Sequence, residues 1–203
     1  MLVVACLLRQ ANARAYCLPG RSQGTEEGYA YASKVSVQTT FQPPLKVEEN
    51  EPSWEIPVTL KAGVQIDTFL SIPTWPDDVR QWILGVMLCQ ANPDIDSTFR
   101  HRSRVEMRVY KTKIDLGEYD DTGSIDIIDS SGVQFISEKV FKISLLLEDN
   151  SLVTLVEGKK VGTLKLKADD FAAWRHIYFA AREGIKHPGY VHKIRYTKSA
   201  AEI

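Results

Sequence analysis

Between Arg104 and Lys167 the chain offers one strand-like run after another: Arg104–Ile114, Ser124–Ile128, Val133–Leu147, Leu152–Val156 and Val161–Lys167. Glu148-Asp149-Asn150-Ser151 and Glu157-Gly158-Lys159-Lys160, both rich in turn formers, separate the last three. Such short links suit hairpins, because parallel neighbours need a crossover of a dozen or more residues. This stretch therefore predicts an antiparallel meander, and it constrains the fold more than any other feature.

The flanks add strands and two predicted helices. Val35, Val37, Thr39 and Phe41 alternate with polar residues until Pro43-Pro44 stops the pattern, and strand-like runs follow at 53–60 and 64–72. Then Trp75, Val79, Trp82, Ile83, Val86 and Gln90 fall on one helical stripe. Thr74 can cap it, Pro76 lies in the first turn, and Asn92-Pro93 ends it. A second helical pattern runs over 170–183, with Phe171, Trp174, Tyr178 and Ala181 on its apolar face and Gly184 as its stop. Tyr190–Tyr196 reads as a closing strand. The expected class is α+β: an antiparallel β-meander packed with two principal helices, about 75–90 and 170–183. Residues 1–30 read as a loose, flexible N-terminal arm and 31–203 as a single domain.

Most chemistry can be set aside. Cys6, Cys17 and Cys89 are odd in number and form no C-x-x-C pair, so neither a disulfide framework nor structural zinc is expected. Reduced thiols fit a cytosolic setting. His176, His187 and His192 have no metal-ligand spacing, and no phosphate-binding, dinucleotide-binding or hydrolase motif is present, so no metal, cofactor or small-molecule substrate is expected. Met1–Leu8 is apolar, but no basic residue precedes it and Arg9 interrupts it, so secretion is not expected. No apolar run is long enough to span a bilayer. Asp121-Thr122-Gly123-Ser124 matches the short catalytic motif of aspartic proteases. It lacks a preceding apolar strand and a second copy, so a polar turn is the preferred reading and a non-enzyme is expected.

Charge is unevenly placed. Residues 159–203 hold ten Lys and Arg against four acids, a net of +6, whereas 1–158 carry −7. In 100–113, read as a strand, Val105, Met107 and Val109 take one face and Arg100, Arg102, Arg104 and Arg108 the other, interrupted by Glu106. Same-face residues lie about 6.6–6.8 Å apart, a spacing at which guanidinium forks can reach successive phosphates. Together with Lys159, Lys160, Lys165, Lys167, Lys193, Arg195 and Lys198 they form the expected polyanion-binding set. The competing reading is a solvated face balanced by Asp115, Glu118, Asp120, Asp121, Asp126 and Asp129. Aromatic residues are too sparse there for base stacking on single strands.

The order of elements, from the arm up to Tyr31 through the predicted helix 75–90 to the end at 164–198, resembles that of rhabdovirus matrix proteins. The resemblance implies a self-associating viral structural protein, cytoplasmic in the host cell, at the membrane periphery or in the virion. Its implied partners are further copies of itself, anionic membrane and a nucleocapsid or RNA. Gln42-Pro43-Pro44-Leu45 departs from that family's P-P-x-Y motif by lacking the Tyr. A viral coat or movement protein built as a β-sandwich is the alternative.

Overall fold

The computed structural model describes residues 34–48, 54–90, 104–119, 125–131, 133, 135, 139–166, 171–182 and 188–199. Of 34, 35, 104, 119, 125–131 and 199 it describes the backbone alone. The expected arm, 1–30, and the D-T-G-S tetrad, 121–124, lie outside these residues.

The described chain is built of strands. They are β1 (Lys34–Lys46), β2 (Trp54–Glu55), β3 (Gln65–Ser71), β4 (Leu84–Cys89), β5 (Arg104–Val109) and β6 (Lys113–Tyr119). There follow β7 (Ile125–Ser131), β8 (Phe141–Glu148), β9 (Ser151–Val156), β10 (Lys159–Lys165), β11 (His176–Ala181) and β12 (Tyr190–Ser199). They form two six-stranded antiparallel sheets. Sheet 1 runs β1-β12-β3-β8-β9-β10, and sheet 2 runs β2-β11-β4-β5-β6-β7. A single short 3-10 turn, Phe171–Ala173, is the only helical element among the described residues. No helix among them is long and apolar enough to cross a membrane.

The alternation of side chains explains the layering. In β5, Val105, Met107 and Val109 are at most 1% exposed and join the core, leaving Glu106 and Arg108 on the other face. Ile66, Leu70, Ile143, Leu145, Leu152 and Ile194 of sheet 1 meet Leu84, Val86, Leu88, Ile114, Leu116 and Phe179 of sheet 2 in the same cluster. The result is a β-sandwich. Both predicted hairpin turns form. Glu157 and Gly158 have φ of 50° and 82°, and Asp149 has 45°, the left-handed backbone that two-residue hairpins use.

The expected α+β class with two principal helices is overturned. Residues 75–83 are irregular and 84–89 form β4, whose six residues are all buried. The run Ile83–Cys89 is apolar on both faces because β4 lies between β11 and β5, with the core on one side and Met87 and Cys89 packed against Tyr178 on the other. A strand buried on both faces shows no alternation, and its short apolar run satisfies a helical template equally well. Over 176–181, Ile177 and Phe179 are fully buried in the core, and His176, Tyr178 and Ala180 fall on the opposite face. Pairing with β4 and β2 outweighs the alanine-rich helical preference there.

Candidate functional site

The outer face of sheet 2 carries a cluster of charged and aromatic side chains. Its register sets Ala180, Gly85, Arg108 and Asp115 side by side across β11, β4, β5 and β6. The next row is Tyr178, Met87, Glu106 and Gly117. The indole of Trp82, just ahead of β4, lies over Gly85, where a Cβ would come 3.5 Å from Trp82 Cζ3. The Arg108 guanidinium sits 5.5 Å from the centroid of that ring, a cation–π distance.

Four charges alternate along this face. Arg108 Nε donates to Glu106 Oε1 at 2.6 Å. Lys113 Nζ lies 2.9 Å from Asp115 Oδ1 and 3.1 Å from Oδ2, and 4.6 Å from the Tyr110 ring centroid. Tyr110 also bonds Asp115, and burial first, then that bond and the carboxylate's charge, push its phenol above the ordinary value. Exposure divides the four by sign. The side chains of Arg108 and Lys113 are 29% and 30% exposed, those of Glu106 and Asp115 only 3% and 12%. The tight β5–β6 turn, closed by Tyr110 N–H to Lys113 O at 3.0 Å, sets both cations toward one end of the face, Arg108 beside Trp82 and Lys113 beside Tyr110.

A second charged cluster lies on the outer face of sheet 1. Asp67 is fully buried. Its Oδ1 accepts from Ser144 at 2.6 Å and Gln65 at 2.7 Å. Its Oδ2 accepts from Arg195 Nε at 2.9 Å and Nη2 at 2.5 Å. Burial works to raise this carboxyl, but the hydrogen bonds from Ser144, Gln65 and Arg195, with the Arg195 charge, outweigh it and hold the group below its ordinary range. Lys193 Nζ lies 4.1 Å above Phe69 beside it.

The expected polyanion-binding residues do not share one surface. Arg100, Arg102 and Lys167 lie outside the described residues. Arg104 is in β5, in register with Cys89 and Tyr119. Arg108 belongs to the outer face of sheet 2. Lys193 and Arg195 belong to the outer face of sheet 1, which points the opposite way. Lys159, Lys160 and Lys165 are exposed along β10, an edge strand, and Lys198 is half-buried near the end of β12. Among the described residues no group of three or more His, Cys, Asp or Glu could hold a metal ion.

Sequence reasoning missed Trp82, which it placed on a helix, and gave Lys113 no role. It treated Glu106 as an interruption of an arginine run, although Glu106 is what holds Arg108. The available signal was the pair of opposite charges two apart on each of two consecutive strands, Glu106/Arg108 and Lys113/Asp115.

No protein-family model matches the sequence. No curated protein matches it either. Solved structures do match in fold. A human galectin-16 variant superimposes with a TM-score of 0.57 at 10% identity, covering 72% of this chain and 95% of that one. Sheep galectin-11, in complex with glycerol, gives 0.54 at 11%, covering 72% and 98%. Caenorhabditis elegans galectin LEC-6 gives 0.52 at 9%, covering 83% and 99%. The likeness is one of fold, a galectin-type β-sandwich.

This overturns the resemblance to rhabdovirus matrix proteins, with its membrane, nucleocapsid and RNA partners and its virion setting. Element order alone misled, because two buried strands were counted as helices. The coat or movement alternative is closer in fold only.

Proposed function

We propose that this chain is a non-enzymatic carbohydrate-binding module whose site is the Trp82–Arg108–Lys113 end of the outer face of sheet 2. The observation that carries the reading is an indole set just ahead of β4 beside a guanidinium that a buried carboxylate of β5 holds in place. A saccharide offers hydroxyl groups that donate and accept, and C–H faces that pack on aromatic rings. Trp82 supplies an apolar surface. Arg108 supplies planar donors held in place by Glu106, and Lys113 supplies further donors held by Asp115. Arg108 and Lys113, built on strands and held by ion pairs, lose little freedom on binding. The neighbours in fold are lectins, which agrees with a binding module rather than an enzyme.

The test is binding of the purified chain to an array of immobilised neutral and acidic oligosaccharides. Trp82→Ala, which leaves all four charges in place, and Arg108→Gln should each weaken retention roughly tenfold or more, the effect of one good polar or aromatic contact. Lys165→Gln, on the edge of the other sheet, should bind as the native chain does. Retention of no saccharide, or equal binding by folded Trp82→Ala, overturns the proposal.

A further inference from the structure

The same four charges point to a ligand class. If Glu106 and Asp115 were the groups presented to solvent, the face would favour ligands rich in donors. The exposures run the other way. Glu106, at 3% side-chain exposure, and Asp115, at 12%, lie beneath the cations, while Arg108 and Lys113 keep close to a third of their side chains in contact with solvent. The acids hold the cations in position, and the cations form the accessible edge.

The register adds to this. Arg108 stands directly opposite Asp115, and Lys113 is two residues before Asp115 on the same face. That makes Arg108 and Lys113 diagonal neighbours at about 7–8 Å, within joint reach of one small anion for side chains of their length. The guanidinium is a planar fork suited to a tetrahedral or carboxylate anion, and the ammonium is a mobile point charge. Trp82 lies beside the fork, where a pyranose ring attached to that anion would rest.

We infer that the site takes an acidic saccharide, one bearing a sulfate or carboxylate, with the anion held between Arg108 and Lys113 and the sugar ring over Trp82. This rests on the carbohydrate-binding reading above and narrows it to a ligand class. An anion is favoured there because each bond it accepts is charge-assisted and its desolvation is offset by two cations already fixed by their own partners.

The test compares one saccharide in three forms, neutral, sulfated and carboxylated, by calorimetric titration at low and moderate salt. A sulfated or carboxylated form should bind roughly tenfold or more tightly than the neutral parent, the contribution of one charge-assisted bond. The advantage should shrink as salt rises. Lys113→Gln should remove most of that advantage, and melting curves would confirm that the variant is folded. Equal binding of the neutral and acidic forms overturns this inference and leaves the carbohydrate-binding reading standing. An acidic preference that survives in both Lys113→Gln and Arg108→Gln overturns the assigned site. Binding of no form overturns both readings.

Discussion

Asp67 and Arg195 form a charge pair whose two members differ in exposure, and that difference predicts which loss is worse. Arg195→Gln leaves a carboxylate with no solvent contact, still bonded to Ser144 and Gln65 but without a cation. Removing one partner of a buried pair costs about 3–5 kcal/mol, and the two surviving bonds place this case near 3. Asp67→Asn leaves a guanidinium whose side chain is 35% exposed and can turn to water, so its cost is about 2 kcal/mol, that of a lost charge-assisted bond. For a chain of this size, Arg195→Gln should lower the melting temperature by about 6–12 °C. The pH dependence has a definite sign. The folded carboxyl titrates below its ordinary value, so the pair's contribution is present above the unfolded value of roughly 4 and is lost as pH falls through the folded value. In Arg195→Gln burial is opposed by fewer bonds, the carboxyl rises, and acid relieves its cost. Urea unfolding followed by tryptophan fluorescence, from neutral pH into acid, should show Arg195→Gln the weaker variant at neutral pH. Its deficit against the native chain should narrow as pH falls. An unchanged midpoint at neutral pH, a deficit that widens in acid, or Asp67→Asn as the more damaging change would refute the reasoning.

Two further outcomes test the packing. Phe179→Ala, at a fully buried ring 5.8 Å from Trp54, should cost about 3–5 kcal/mol in denaturant unfolding, because that side chain belongs to the core cluster. Gly158→Ala and Gly189→Ala should both destabilise, for different reasons, in paired thermal melts. The first strains a residue at φ 82° with nothing within 4 Å, at about 1–2 kcal/mol. The second brings a Cβ to 2.8 Å from Leu84 Cδ1 and 3.4 Å from Leu84 Cβ, an overpacking cost of about 1–3 kcal/mol.

The meander was legible because its strands alternate and its turns use residues that tolerate left-handed backbone. Val105, Met107 and Val109 could be assigned to the core from spacing alone. β4 was not legible as a strand, since Leu84 to Cys89 are apolar at every position and periodicity carries no information there. β11 was legible in principle. Ile177 and Phe179 alternate with His176 and Tyr178, but the neighbouring Ala172, Ala173, Ala180 and Ala181 favoured a helix and the pairing partners lie about ninety residues away in sequence. The site failed for the same reason. Arg108 was singled out, but its neighbour Trp82 could not be placed beside it while 75–90 was read as helical.

Charge on a sheet surface does not by itself distinguish structure from function, and both outer faces of this sandwich carry it. Burial separates them. On sheet 1 the carboxylate has no solvent contact, all four of its bonds come from within the sheet, and Arg195 is committed to it from both Nε and Nη2. That arrangement joins β3, β8 and β12 across their register and has no acceptor left to offer a ligand. On sheet 2 the carboxylates are covered in the same way, but their cations retain solvent contact, and Arg108 stands beside an aromatic ring laid over a glycine. A face built only for stability would not need Gly85 and Trp82 together, since an aliphatic side chain at 85 would cover β4 as well. The combination sets one fixed cation beside an aromatic ring and a second on the neighbouring strand, and the ligand-binding reading follows from that difference rather than from net charge.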